Sequence, residues 1–301
     1  MRPTCYLHVG THKTGTTSLQ VFLTSNEARL TRAGLYVPRA GRPWPPLSGH
    51  HNVAWELSAD PRFDPRHGTL ADVVGEIAAA RAPVACLSSE DFEYLHDEPP
   101  RLRSLSDALG SIGYDAKAIV YVRPQADYAE SLYPTLVQHG LAVGFPEFLG
   151  TVLRDGVFRM WRWIFRFEYS VLLDVLAGAF GPDNVIVRSY RSGRGSDALL
   201  RDFLTIVSEG TRGLRFEALA PVQRLNARAD DGRRGPVALV ESLRIIGRFW
   251  RDNRRVRARY GVRLPCVERS DLWRDVVATL RVRTRTAAVA RVREADDGRS
   301  R

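Results

Sequence analysis

The chain has 301 residues, of which 44% are apolar and 26% charged, and its formal net charge is +10. This length and balance are typical of one soluble globular domain with a full hydrophobic core. No apolar run is long enough to span a bilayer, and three widely spaced cysteines exclude both a disulfide framework and a CxxC metal site.

The positive charge is concentrated near the C-terminus. Residues 233–301 contain 19 basic and 8 acidic residues, whereas residues 1–232 contain 25 basic and 26 acidic residues. We therefore predict an α/β core over 1–232 and a basic helical segment over 233–301, packed on the same domain with a frayed tail. No signal-peptide segment precedes the first strand, so we expect a cytoplasmic protein.

Strands and helices alternate along the chain. The predicted strands cover residues 4–9, 84–88, 116–122 and 185–187, with a short extended piece at 35–37. The predicted helices cover 17–32, 70–81, 100–109, 167–180, 196–207, 237–250 and 272–280, and two more begin near 124 and 146. This βαβ alternation predicts a parallel sheet flanked by helices on both faces. Residues 39–52 are expected to form a lid or binding loop carrying Trp44, His50 and His51.

The most informative segment is the turn after the first strand, Gly10-Thr11-His12-Lys13-Thr14-Gly15-Thr16-Thr17. Its glycines permit unusual backbone conformations, and the N–H groups of the helix that follows attract an anion. The spacing of Gly10 and Gly15 matches a Walker A loop, but the lysine precedes the second glycine. Lys13 is informative because 42 of the 44 basic residues are arginine. Without a convincing Walker B aspartate, metal-free phosphate chemistry is favoured.

The segment from His8 to Gln20 closely resembles the 5'-phosphosulfate loop of bacterial sulfotransferases that use 3'-phosphoadenosine 5'-phosphosulfate (PAPS). A second segment, from Ala118 to Tyr133, resembles the 3'-phosphate motif of that family, in which an arginine ends a strand and a serine follows eight residues later. The resemblance covers roughly residues 4–207 and implies a P-loop-like fold. Pro134 departs from the family pattern, because proline is expected to kink or end the helix there.

The resemblance implies a function for several residues. Those expected to bind PAPS are His12, Lys13, Thr14, Gly15, Thr16, Thr17, Ser18, Arg123 and Ser131. Lys13 is the leading catalytic candidate, since it would stabilise charge on the leaving phosphate oxygen. Glu90 is the first candidate for the base, and His51 the second. Glu90 could instead cap the turn after Ser89, and histidines at 50 and 51 could simply lie on a surface loop.

The predicted reaction is transfer of a sulfuryl group from PAPS to a hydroxyl or amine, with no metal. Two alternatives stay open: an ATP-dependent phosphotransferase, and a non-catalytic module that binds anions or nucleic acid through the basic C-terminus. Nucleic acid is disfavoured because no groove-reading or stacking motif is recognisable. The acceptor could be a carbohydrate, a lipid or a small metabolite, and the oligomeric state is left open.

Overall fold

The computed structural model describes residues 2–43, 48–190, 195–208, 211 and 239–265. In chain order, the elements are β1 (Thr4–Gly10), α1 (Thr16–Ser25), α2 (Glu27–Arg32), β2 (Leu35–Tyr36), α3 (His51–Leu57), α4 (Leu70–Ala80), β3 (Val84–Ser89), α5 (Pro99–Ser111), β4 (Asp115–Val122), α6 (Gln125–Gln138), α7 (Phe145–Asp155), β5 (Val157–Met160), β6 (Trp163–Arg166), α8 (Tyr169–Phe180), β7 (Val185–Ser189), α9 (Gly195–Val207) and α10 (Leu239–Tyr260). Short 3-10 helices occur at Pro65–His67, Glu90–Asp97 and Pro182–Asn184.

A five-stranded parallel sheet forms the centre of the protein, in the order β2-β3-β1-β4-β7. Strands β1, β3 and β4 are almost wholly buried, as expected for parallel strands covered on both faces. Helices flank both faces of the sheet, which confirms the α/β architecture expected from the alternating sequence pattern.

The two faces of the sheet are packed by different helices. Cys5, Leu7 and Val9 of β1 point into a core that includes side chains of α3, α4, α5 and α8. Tyr6, on the opposite face of the same strand, packs in a second core with α1 and α9. Successive side chains of a strand point to opposite faces, so β1 supplies both cores.

A third core lies beside the sheet, where α6 and α7 pack against the β5–β6 hairpin. Phe148, Phe165 and Phe167 are buried there with Ile245 and Phe249 of α10. Val256, farther along α10, belongs to the core that contains α8. Helix α10 thus contributes to two of these three cores.

Four local features differ from the sequence-based expectations. The helix predicted at 17–32 is two helices that meet at Asn26, and residues 51 and 52 of the predicted loop belong to α3. Helix α6 continues through Pro134 to Gln138 instead of ending there. The β5–β6 hairpin was not predicted at all.

The predicted C-terminal elements are only partly described. The amphipathic helix expected at 237–250 is observed as α10, which continues to Tyr260. The boundary between 232 and 233, the helix expected at 272–280, the tail after 287 and Trp44 lie outside the described residues. In the part of the chain that the structure describes, no helix is long and apolar enough to cross a bilayer.

Candidate functional site

The predicted site residues follow strand ends that meet at one edge of the sheet. Gly10 is paired with Tyr121, Val9 with Ser89, and Val122 with Ser189. The carboxyl ends of β1, β3, β4 and β7 therefore lie side by side, and this edge is where open α/β sheets bind ligands. Lys13, Glu90 and Arg123 each come shortly after one of these strand ends.

Hydrogen bonds within the protein hold the turn after β1 in place. The hydroxyl of Thr11 donates to the carbonyl of Tyr121 at 3.0 Å, and the hydroxyl of Thr14 donates to the carbonyl of Thr11 at 2.6 Å. Gly15 has a φ of +83°, as only glycine readily adopts, but Lys13 also has a positive φ, +67°. A lysine in this region is strained, and such strain is found most often at functional sites.

The start of α1 offers hydrogen-bond donors to an anion. The first helical bond runs from Leu19 N–H to the Gly15 carbonyl at 3.2 Å, so the N–H groups of Thr16, Thr17 and Ser18 precede the helical pattern. No side chain caps this end, and its first turn contains no acidic residue. The partial positive charge of the helix terminus is therefore not offset by an acidic residue of α1 itself.

A buried hydroxyl adds a second observation at the same place. Thr16 is only 4% exposed, and its Oγ1 has no hydrogen-bond partner among the residues that the structure describes. A Cβ at Gly10 would lie 2.8 Å from this oxygen, so glycine is needed there. Buried polar groups rarely lack partners unless a ligand or water supplies one. Thr17 is exposed and Ser18 buried, and both lie on the same first turn.

The second predicted phosphate motif contacts the first directly. The Arg123 guanidinium donates from Nη1 to the carbonyl of Lys13 at 3.0 Å, across 110 residues of sequence. The central carbon of the Arg123 guanidinium, Cζ, lies 5.8 Å from the centre of the Tyr190 ring. The Lys13 ammonium donates to Thr135 Oγ1 on α6 at 3.0 Å. Two cations are thus gathered beside the N-terminus of α1.

Ser131 lies on the helix that Lys13 reaches. It precedes Thr135 by four residues in α6, so the two residues share one face of the helix, one turn apart. Ser131 lies within α6, three residues before Pro134, and is helical as the sequence predicted. The structure therefore brings Lys13, Arg123 and the Ser131 face of α6 to the same edge of the sheet.

His12 is engaged by the protein through both ring nitrogens. Its Nδ1 lies 2.9 Å from Oε2 of the buried Glu93, and its Nε2 lies 2.8 Å from the Tyr94 hydroxyl. Its backbone N–H donates to the same Glu93 oxygen at 3.1 Å. Burial lowers the pKa of His12, but the adjacent Glu93, Glu90 and Asp91 carboxylates outweigh burial and raise the pKa. The ring therefore fixes the turn to the segment that follows β3.

Glu90 comes directly after β3 and lies beside the turn that follows β1. Its Oε2 accepts a hydrogen bond from Gln20 Nε2 at 2.7 Å and lies 3.9 Å from His51 Nε2. Its Cβ would be 3.4 Å from a Cβ at Gly10. The cap of the following 3-10 helix is Ser89, whose Oγ accepts from Asp91 N–H at 3.1 Å, so capping does not account for Glu90.

His51 lies between two carboxylates and is almost fully buried. Its Nδ1 is 2.9 Å from Ser89 Oγ and 3.5 Å from Asp91 Oδ2. Burial lowers the pKa of His51, but the Asp91 and Glu90 carboxylates more than compensate and raise it. Burial would raise the pKa of Asp91, yet its bond to His51 and the nearby cations lower it to about 2.

His50 is buried, and its ring contacts backbone groups through both nitrogens. Its Nε2 is 3.0 Å from the carbonyl of Pro38, and its Nδ1 accepts from Ser88 N–H at 3.1 Å. A carbonyl can only accept, so Nε2 carries the proton and the ring is neutral. Burial lowers the pKa of His50 to about 3. Neither His50 nor His51 lies on an exposed loop, contrary to the alternative considered for them.

Several residues at this edge were missed from the sequence. They are Gln20, Asp91, Glu93, Tyr94, Thr135 and Tyr190. The run of acidic residues directly after β3 was a usable signal, since polar residues at a strand's carboxyl end point to a site. Thr135 and Tyr190 carry no such signal, because their positions depend on how α6 and β7 pack.

Two surface cavities lie away from this edge. One, of about 490 Å³, is lined by β7, α9 and the end of α10, and the other, of about 650 Å³, lies beside the first residues of β1. Among the described residues, no group of three or more histidine, cysteine, aspartate or glutamate side chains is arranged to hold a metal ion.

Comparison with known proteins shows a likeness of fold. No family model matches the sequence, and no curated protein matches it. Among solved structures, the fold is similar to that of a sulfotransferase from Alicyclobacillus acidocaldarius, with a TM-score of 0.51 and 20% identity over 88% of this chain and 98% of that chain. At this identity, the likeness shows a shared α/β fold.

Proposed function

We propose that this protein transfers a sulfuryl group from PAPS to an acceptor hydroxyl or amine. The observation that carries the proposal is the hydrogen bond between Arg123 and the carbonyl of Lys13, 3.0 Å long. It joins the turn proposed for the 5'-phosphosulfate to the segment proposed for the 3'-phosphate. A ligand with two separate phosphate groups fits such a pair of adjacent anion sites. The fold likeness to a sulfotransferase supports the same reading.

The 5' side of the ligand would be held by the start of α1. The donors at the helix terminus are the N–H groups of Gly15, Thr16 and Thr17 and the Thr16 hydroxyl, which has no partner in the described part of the chain. Lys13 supplies positive charge. The Thr14 hydroxyl donates inside the turn, so this residue would contribute through its backbone. His12, with both ring nitrogens engaged, would act mainly by fixing the turn.

The 3' phosphate would be bound by Arg123 and Ser131. Arg123 follows the carboxyl end of β4, and a guanidinium can donate to two phosphate oxygens at once. Its Nη1 is used by the Lys13 carbonyl, which fixes the plane of the guanidinium. Ser131 lies on the α6 face that also contains Thr135, the partner of Lys13.

The proposed transfer is a single in-line displacement. The acceptor oxygen or nitrogen forms a bond to sulfur as the bond from sulfur to the bridging phosphate oxygen breaks, which leaves 3',5'-adenosine bisphosphate. Lys13 and the N–H groups of α1 stabilise the negative charge that develops on the leaving oxygen. Glu90 accepts the acceptor's proton, and Gln20 keeps its carboxylate oriented through the 2.7 Å hydrogen bond.

The donor can be tested by binding alone. We expect 3',5'-adenosine bisphosphate to raise the melting temperature of the protein, and ATP with magnesium to raise it much less. Arg123→Ala should weaken bisphosphate binding by about tenfold or more, because a charge-assisted contact to phosphate is lost. Isothermal titration calorimetry gives the affinities directly.

Arg154→Ala is the matched control, since Arg154 lies on the exposed surface of α7 and pairs with the adjacent Asp155. Its affinity for the bisphosphate should equal that of the wild type. Preferential stabilisation by ATP and magnesium would contradict the proposed donor and favour a phosphotransferase. Equal losses in both arginine variants would mean that Arg123 acts only through overall charge.

The roles of Lys13 and Glu90 can be separated by their variants. Lys13→Ala should reduce the rate of transfer by about 10²- to 10³-fold, because it removes charge stabilisation in the transition state. Glu90→Gln should reduce transfer by about 10²-fold or more while leaving bisphosphate affinity unchanged, since only the base is lost. The measurement uses radiolabelled PAPS and an acceptor found by screening.

Glu90→Gln is a conservative test because the Gln20 amide can rotate and still bond the new side chain. Wild-type turnover in this variant would remove Glu90 as the base. His51→Asn would then be examined, since its ring is the other candidate and lies 3.9 Å from Glu90.

A further inference from the structure

Aromatic rings form a continuous series from the phosphate turn to the protein surface. The ring of His12 lies 5.1 Å from Phe165, Phe165 lies 6.4 Å from Trp163, and Trp163 lies 5.3 Å from Trp161. All are centroid distances within the range of favourable ring packing. The last three residues belong to the β5–β6 hairpin or its turn, so this hairpin extends from the candidate site to solvent.

The outermost ring, that of Trp161, is largely exposed to solvent and belongs to a residue with a strained backbone. Trp161 is 73% exposed, and it occupies the two-residue turn between Met160 and Trp163 with a φ of +54°. Glycine or asparagine is favoured in such a turn, and a bulky residue with positive φ is an outlier. An exposed tryptophan held in a strained conformation points to a binding role rather than to folding.

Two polar side chains lie in or against the hairpin that carries Trp161. Arg162 donates to the carbonyl of Ala59 at 3.3 Å and has no carboxylate partner among the residues that the structure describes. His139 packs edge-on against Trp163 at 5.1 Å, with its Nδ1 2.8 Å from the carbonyl of Thr135. We define Trp161, Trp163, His139 and Arg162 as the hairpin platform. It combines flat apolar surface with polar side chains.

Helix α6 provides a second connection between the hairpin platform and the candidate site. His139 comes one helical turn after Thr135, whose hydroxyl accepts the hydrogen bond from Lys13 at 3.0 Å. A molecule lying on the platform would therefore extend toward the Lys13 ammonium. This location suits an acceptor rather than a donor, because the donor sites are proposed at the start of α1 and at Arg123.

We propose that the hairpin platform binds a sugar ring of the acceptor, so that the substrate is a glycan. This inference rests on the proposed sulfuryl transfer. The C–H face of a pyranose stacks on an indole, while its hydroxyls require hydrogen-bond partners such as Arg162 and His139. A lipid chain would need a longer apolar surface. In the described part of this region, the other exposed large apolar side chain is Val137, two residues before His139.

The test compares Trp161→Gly with Trp161→Phe. Trp161→Gly should raise KM for oligosaccharide acceptors by about tenfold or more with a smaller change in kcat, because a stacked ring is lost. Its melting temperature should equal or exceed that of the wild type, since glycine relieves the positive φ. Trp161→Phe should retain most of the affinity. Val240→Ala, at another exposed apolar position, should change neither value.

Binding can also be measured without any donor. Chitotriose and cellotriose should quench tryptophan fluorescence of the wild type, with a clearly smaller change in Trp161→Gly. The acceptor screen includes aliphatic alcohols and phenols beside oligosaccharides. Transfer to alcohols or phenols alone, unchanged KM in Trp161→Gly, or a change of oligomeric state in that variant would each overturn the glycan proposal. Failure of the wild type to bind 3',5'-adenosine bisphosphate would instead overturn the proposed function, while the quenching experiment still reports on the platform.

Discussion

Two adjacent histidines, His50 and His51, differ in their neighbouring groups, and this difference gives one a structural role and the other a candidate role in proton transfer. His50 is 1% exposed, with both ring nitrogens bonded to backbone groups, and burial lowers its pKa to about 3. His51, next in sequence, lies between the Asp91 and Glu90 carboxylates, which raise its pKa. His50 is therefore a neutral structural residue, whereas His51 can carry a proton close to the candidate base.

The pKa of His50 makes stability depend on pH. Its folded-state pKa of about 3 lies below the ordinary value of 6.5, so between these values the unfolded chain binds a proton that the folded protein does not. The free energy of unfolding should therefore fall as the pH falls through this window, by up to about 1.4 kcal/mol per pH unit for one such histidine. Buried His8, with a pKa of about 3, contributes in the same direction.

His50→Asn tests this dependence. Asparagine keeps one donor and one acceptor but does not titrate, so urea unfolding between pH 4 and pH 6 should show a shallower slope than in the wild type. The variant loses stability near neutral pH because the amide fills the site less well. An unchanged slope in His50→Asn would mean that His50 is already protonated in the folded protein.

Local motifs were enough to predict two cations of the candidate site, but not the residues that contact them. Lys13 and Arg123 were predicted because one lies in the glycine-containing turn after β1 and the other directly follows β4. Gln20, Glu93 and Thr135 were missed, because they are 70, 81 and 122 residues away from their partners Glu90, His12 and Lys13. Such pairings follow from strand order and helix packing, which a residue pattern does not specify.

At the scale of elements, the long periodic segments were predicted best. Strands β1, β3 and β4 and helices α4, α5 and α9 were all expected within a few residues of their observed bounds. The β5–β6 hairpin was missed because it has only four residues per strand and no glycine or asparagine in its turn. That same unusual turn holds Trp161, so the weakest structural signal coincides with the proposed acceptor platform.

Helix α6 shows that tertiary packing can overrule a local helix breaker. Proline removes a backbone hydrogen bond in a helix interior, yet α6 continues for four residues beyond Pro134. Leu132 and Leu136, on either side of it, are buried in the third core. Their packing stabilises the last turn of α6, which carries Thr135 and, just after the helix, His139. Both proposed binding regions depend on that turn.

At the scale of the whole molecule, the candidate site is built from segments that are distant in sequence. The ends of β1, β3 and β4 supply it, and parallel pairing alone places them together. Helix α10 contacts the segment that follows β4. Its Asn253 exchanges two hydrogen bonds, at 2.7 and 3.2 Å, with Gln125, which lies two residues after Arg123. The basic C-terminal helix is thus connected to the base of the proposed 3'-phosphate segment.

Helix α10 also caps another helix of the core. The Asp252 carboxylate accepts hydrogen bonds from the N–H groups of Tyr169 at 2.9 Å and Ser170 at 3.0 Å, at the start of α8. No residue of α8 itself provides a side-chain cap. Burial raises the pKa of Asp252, and these two hydrogen bonds oppose the rise. A negative charge at a helix N-terminus is favourable, so Asp252 joins the C-terminal segment to the α/β core.

Asp252→Ala should therefore destabilise the whole protein, not only α10. We expect a loss of about 2 kcal/mol in the free energy of unfolding, because two buried N–H groups lose their acceptor. Asp252→Asn, which keeps one acceptor oxygen, should lose less. Asp174→Ala is the matched control, since Asp174 on α8 forms an exposed ion pair with Arg259 of the same α10. This variant should lose less than about 1 kcal/mol in the free energy of unfolding.

The measurement is urea unfolding followed by both circular dichroism and tryptophan fluorescence. One coincident transition, shifted most in Asp252→Ala, is expected when α10 and the sheet unfold together. Two separate transitions, with only the first shifted, would show instead that α10 unfolds as an independent unit.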